Sequence, residues 1–81
     1  MTARIYVKLK PEVLDPQGKA VSGGLRNLGF GGVKDVRVGK YIVLDMDDAI
    51  PVTEAEKQVK DMCEELLVNT VIEEYEFKID H

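Results

Sequence analysis

Residues 36–44 read VRVGKYIVL, two apolar runs that meet at Gly39-Lys40. A two-residue loop with glycine in first place predicts a type II′ hairpin turn. That turn sets a register: Val38 faces Tyr41, Arg37 faces Ile42, Val36 faces Val43 and Asp35 faces Leu44. Val36, Val38, Tyr41 and Val43 then share one side. Ile42, Leu44 and Met46 share the other with Arg37 and Asp35. One side has helices to cover. The other is surplus apolar surface on a small domain, the usual mark of an interface. The Gly-Lys pair itself is no phosphate grip. A Walker A loop needs Gly, four residues, then Gly-Lys-Ser/Thr between a strand and a helix. Lys40 is followed by Tyr41 and a strand, and Gly18-Lys19 is followed by Ala20 inside a helix.

Upstream, Ile5, Val7 and Leu9 alternate with Tyr6, Lys8 and Lys10, so Met1–Lys10 reads as a half-buried strand closed by Pro11. Asp15 is placed to cap a helix whose first position suits Pro16. The helix runs to Leu28 with an apolar stripe of Ala20, Val21, Leu25 and Leu28, and Gly29 ends it. Gly23-Gly24 inside it costs about 1 kcal/mol per glycine relative to alanine, which points either to close approach of another backbone or to a break in the helix. Val33–Val38 is predicted as the second strand and Tyr41–Asp47 as the third. Thr53-Glu54-Ala55-Glu56 has the form of a capping box. The helix behind it runs to Leu67 with Ala55, Val59, Met62, Cys63, Leu66 and Leu67 on one face. Val71–Ile79 is the last strand, with Tyr75, Phe77 and Ile79 alternating with Glu74, Glu76 and Lys78.

The order is β-α-β-β-α-β, the ferredoxin-like split βαβ pattern: an α+β two-layer sandwich, one domain over 1–81, with an antiparallel sheet and two helices on one face. In that order the first strand lies between the third and fourth. Lys8 and Lys10 then approach Glu74 and Glu76 on the open face.

At 81 residues the core is small, and association is a common source of added stability. The chain is 44% hydrophobic and 32% charged, with 11 basic against 15 acidic residues, net −4. That balance argues against nucleic acid or an anionic membrane as partner, since both call for a basic surface. One cysteine permits no internal disulfide. With no signal-like start and no long apolar run, a cytoplasmic protein is expected.

Chemistry-bearing residues are sparse. Cys63 sits on an amphipathic helix with no Cys or His at ligand spacing, and the single histidine is His81, so Cys63 reads as a core thiol. Asp45, Asp47 and Asp48 do not make an EF-hand loop, because the sixth position is Ile50 where glycine is required. Tyr6 and Tyr41 occupy strands that carry stacking aromatics in RNA-recognition domains, but the charge is wrong for RNA. No cluster-binding cysteine set and no Ser-His-Asp or Cys-His set exists.

Three runs carry a family resemblance: Lys8-Leu9-Lys10-Pro11, Val13-Leu14-Asp15-Pro16-Gln17-Gly18-Lys19-Ala20, and Val36-Arg37-Val38-Gly39-Lys40-Tyr41-Ile42. With Leu28-Gly29-Phe30 and the stretch from Cys63 to Glu73, they make the chain similar to PurS, the small subunit of phosphoribosylformylglycinamidine synthase, over nearly its whole length. The resemblance implies a subunit without catalytic residues in the fourth step of purine biosynthesis. It implies a homodimer or higher homo-oligomer with strand pairing between chains. It also implies that the chain bridges a large synthetase subunit, PurL, and a glutaminase, PurQ, and supports ammonia transfer between them. No cofactor is expected on this chain, while the whole complex uses ATP and magnesium. The interface residues expected from the hairpin register are Val36, Val38, Tyr41 and Val43, with Arg37 and Lys40 as polar anchors. A competing reading is a ligand-sensing βαββαβ module, distinguished by saturable small-molecule binding to this chain alone.

Overall fold

The structure, a computed structural model, describes residues 1–80. Its elements are β1 (Thr2–Leu9), α1 (Pro16–Asn27), β2 (Lys40–Asp45), α2 (Val52–Met62), a π-helical turn (Cys63–Leu67) and β3 (Glu73–Asp80). The sheet is antiparallel with order β2-β1-β3, so β1 is central as the α+β pattern requires. Tyr6 pairs with Tyr41 on one side and Glu76 on the other, and Ile5 with Ile42 and Phe77. Even residues of β1 therefore share the open face, and odd ones the covered face.

The expected strand Val33–Val38 is not formed, nor is the hairpin that sets Val36 opposite Val43. The reason lies in Gly39. A II′ turn needs positive φ at its first central residue, and Gly29 is the only described residue with positive φ. Gly39 is instead a close-approach glycine: a Cβ there meets the Val7 carbonyl oxygen at 2.2 Å. The chain passes over the end of β1 and enters β2 directly. Segment 33–39 takes other partners. The Val38 N–H donates to Asp15 Oδ2 at 2.8 Å and the Val36 N–H to Asp35 Oδ1 at 3.0 Å.

The core consists of Ala3, Ile5, Val7, Val59, Cys63 and Val68, flanked by Ile42, Leu44, Met46, Leu67, Tyr75, Phe77 and Ile79. Among the described residues, α2 and its π turn supply the helical side of the core, leaning toward β3. The capping box is not used: Pro51 is the N-cap, and no side chain caps the helix. The periodicity assigned Leu66 to the core face, yet it is 84% exposed. The π turn, closed by Val68 N–H to Cys63 O at 3.0 Å, lengthens the helical repeat and rotates Leu66 outward.

α1 forms as expected. Asp15 Oδ1 accepts from the Gly18 N–H at 2.8 Å and Pro16 opens the helix. Gly29 (φ +99°) closes it with a Schellman pair, Phe30 N–H to Leu25 O and Gly29 N–H to Arg26 O, both 3.0 Å. Its apolar residues, however, do not join the core among the described residues. Leu28 is 75% exposed, and Val21 and Phe30 are exposed too. α1 and segment 28–39 form an arm. The radius of gyration is 16.1 Å, against about 12 Å for a compact chain of this length.

Candidate functional site: an open sheet face and the base of the arm

The open face of the sheet is centred on two tyrosines. Tyr6 and Tyr41 stack with ring centroids 5.1 Å apart and planes 19° from parallel. Tyr41 is 56% exposed and its neighbour Val43 is 54% exposed. Around this apolar centre lie ion pairs: Lys8 Nζ to Glu74 Oε1 at 3.6 Å, and Arg4 with Asp80. The β1–β3 charge pairing expected from the alternation is thus present at Lys8–Glu74.

Of the six interface residues read from the sequence, Tyr41 and Val43 lie together on this face. Val36 and Val38 do not join them. They are half-buried in segment 33–39, where the Val36 carbonyl crosses so near α1 that a Cβ on Gly18 meets it at 2.1 Å. Arg37 and Lys40 have partners within the chain. The Arg37 guanidinium donates to the Lys10 and Val13 carbonyls, each at 2.8 Å, and Lys40 Nζ lies 3.3 Å from Glu73 Oε2.

These bonds gather at the base of the arm, which the sequence reading did not anticipate. Asp15 is buried, and its two carboxylate oxygens join the start of α1 to segment 33–39. Hydrogen bonds from the Gly18 and Val38 N–H groups, with Arg37 nearby, hold its pKa below the ordinary 3.8 against the opposing effect of burial. The Leu14-Asp15-Pro16-Gln17-Gly18 and Val36-Arg37-Val38-Gly39 runs therefore form one interlocked unit. A sequence signal existed: Asp and Gly at three-residue spacing before a helix is a cap, and a carboxylate has acceptor sites to spare for a second segment.

Nothing at these positions is poised for covalent chemistry. Burial, with Glu64 beside it, pushes the Cys63 thiol up and away from the reactive thiolate. Tyr75 is raised by burial and by the neighbouring Glu64 carboxylate. Among the described residues no three His, Cys, Asp or Glu side chains are grouped to hold a metal; His81 lies outside them.

Against known proteins, the family model described as PurS, phosphoribosylformylglycinamidine (FGAM) synthase, matches residues 2–81. The phosphoribosylformylglycinamidine synthase subunit PurS of Synechocystis sp. is 54% identical over 94% of this chain and 75% of that protein. A Bacillus subtilis PurS structure superposes with TM-score 0.86 at 42% identity, covering 99% of this chain and 98% of that one. A chain in the structure of PurLQS from Thermotoga maritima also reaches 0.86, at 40% identity, covering 95% and 93%.

Proposed function

The chain belongs to the PurS family, a subunit family of phosphoribosylformylglycinamidine synthase, and we propose that it serves that ligase as a non-catalytic bridge. Its place is in purine biosynthesis. Its partners are a second copy of itself, the large ATP-dependent synthetase subunit PurL and the glutaminase PurQ, in the cytoplasm. No helix is long and apolar enough to cross a membrane among the described residues. ATP and magnesium belong to the synthetase subunit, and ammonia passes from glutaminase to synthetase across an assembly that this chain as one domain, 1–81, helps to order.

The likeness to a chain of the Thermotoga maritima PurLQS assembly carries this reading. Two features of the molecule support it. The ordinary catalytic groups are committed to structure: Asp15 to two backbone donors, Arg37 to two carbonyls, and Cys63 to the core. The surface, in turn, carries Tyr41 and Val43 exposed together on the open sheet face and Leu28 and Phe30 exposed on the arm, apolar side chains that a partner would cover. In this reading the Tyr41–Val43 face makes the homodimer.

The test is reconstitution. The large synthetase and glutaminase subunits of the same organism are assayed for glutamine-dependent product with and without this chain. Activity that requires the chain, with none from the chain alone, is the expected result. Unchanged activity, with no co-elution under ATP and glutamine, removes the bridging role.

A further inference from the structure

We propose that the turn between α2 and β3 is a docking knuckle for the large synthetase subunit, with Leu66 and Val71 as its apolar anchors and carboxylates as its rim. Asn69 organises this turn. Its carbonyl accepts the Ile72 N–H at 3.1 Å and the Glu73 N–H at 2.7 Å, and its Oδ1 accepts the Val71 N–H at 3.2 Å. Its own N–H donates to Glu73 Oε1 at 2.8 Å. The other Glu73 oxygen pairs with Lys40 at the start of β2, and the Ile72 carbonyl accepts the Lys10 N–H at 2.9 Å. The turn is thus tied to itself, to the end of β1 and to β2. A segment held this way loses little conformational freedom when a partner binds. Yet what it displays is apolar. Val71 is 79% exposed, with Ile72 exposed beside it, and Leu66 stands out from the π turn. Between them Val68 is buried, and its N–H closes the π turn. Leu66 and Val71 therefore flank one fixed point in the core, and π insertions of this kind are frequent at functional sites.

Charge specifies the occupant. Residues 61–77 carry six acidic side chains and no basic one. Glu73 and Glu74 are paired with Lys40 and Lys8, while Asp61, Glu65 and Glu76 are exposed. Two copies that meet knuckle to knuckle press like charges together, so an isologous contact is disfavoured. The surface that fits is a different one, with apolar sockets and a rim of lysine or arginine. Of the two other subunits in the proposed assembly, the synthetase matches. It handles ATP and a phosphoribosyl substrate, and phosphate anions call for basic side chains. The glutaminase acts on a molecule with no net charge.

The inference rests on the bridging role and names a surface distinct from the Tyr41–Val43 face. Its test is binding of the full chain to the synthetase subunit of the same organism, by biolayer interferometry with ATP and magnesium present. Leu66→Ala with Val71→Ala removes the anchors. Asp61→Lys with Glu65→Lys reverses the rim. All four side chains are exposed, and circular dichroism checks that the fold persists. The anchor variant is expected to bind roughly tenfold or more weakly than the native chain, as truncation of interface anchors does. The rim variant is expected to bind more weakly at low salt and to show little of the native chain's loss of affinity as salt is raised. Both should self-associate as the native chain does in light scattering. Native-strength binding by either variant overturns the proposal and leaves the bridging role standing. So does a loss confined to glutaminase binding, which makes that subunit the occupant, or a loss confined to self-association, which makes a second copy the occupant. A native chain that binds neither subunit removes the bridging role, and this surface with it.

Discussion

Asp15 Oδ2 accepts the Val38 N–H at 2.8 Å, across 23 residues of chain, while Oδ1 of the same carboxylate accepts the Gly18 N–H at 2.8 Å. One ionised side chain thus holds both the start of α1 and the returning segment 33–39. Its folded pKa is depressed, first by the Gly18 bond and then by the Val38 bond. A group of this sign stabilises the fold fully above its unfolded pKa, near 3.8, and loses that contribution as pH falls through the lower folded value. Asp15→Asn replaces one acceptor with an NH2 group facing a backbone donor. The variant is expected to melt below the native chain near neutral pH, with the gap closing as pH falls below about 3.8. Thermal unfolding followed by circular dichroism across that range is the check; a gap independent of pH contradicts the assignment.

Gly39 and Gly24 should respond oppositely to alanine. At Gly39 the new Cβ meets the Val7 carbonyl oxygen at 2.2 Å, a backbone atom that is held in the sheet. The expected cost is roughly 1–3 kcal/mol, as for other overpacked sites. At Gly24 the Cβ meets nothing, and helix propensity favours alanine by up to about 1 kcal/mol. Urea denaturation of the two variants separates them, and equal effects contradict the close-approach role of Gly39.

Much of this architecture is legible in the residues, and the exceptions share a cause. Strict alternation in β1 placed Ile5 and Val7 inward and Tyr6 and Lys8 outward, and Lys8 meets Glu74 as read. Asp15-Pro16 and Gly29 bound α1 because caps and stops are local chemistry. Tyr41 and Val43 emerge on the open face even though the hairpin that suggested it does not exist, since β2 pairs with β1 and alternation is the same whichever strand is its partner. What was not legible is non-local. Glycine at position 39 has two meanings, a turn or a close approach, and only the position of Val7 chooses between them. Val33–Val38 has strand composition, but the Val38 N–H goes to Asp15 where a sheet partner was expected. Arg37, read as a surface anchor, spends its guanidinium on the Lys10 and Val13 carbonyls.

The π turn gives a prediction that simple helical periodicity contradicts. On a 3.6-residue repeat, Cys63 and Leu66 fall on one buried face. In the structure Cys63 is fully buried and Leu66 is 84% exposed. Leu66→Ala is expected to change the stability of the chain by less than about 0.5 kcal/mol, as surface substitutions do. Ile5→Val, a single methylene lost from a fully buried residue, is expected to cost about 0.5–1.5 kcal/mol. A larger loss at Leu66 than at Ile5 in guanidinium unfolding contradicts the outward rotation.

The last prediction concerns the open face. Tyr41 and Val43 lie there side by side with Tyr6, and neither helps to build the core of one copy. Introducing Tyr41→Glu with Val43→Glu leaves that core intact, because neither side chain belongs to it and Arg4, opposite Val43 on β1, is already paired with Asp80. In a dimer that closes over this face, two carboxylates per copy are desolvated, four across a two-fold interface. Unpaired charge buried in this way costs several kcal/mol, so association should weaken by about 100-fold or more. Far-ultraviolet circular dichroism should stay close to native. Light scattering at matched concentration reads the outcome directly: monomers with native secondary structure place the dimer on this face, whereas intact dimers mean that Tyr41 and Val43 are exposed for a different partner.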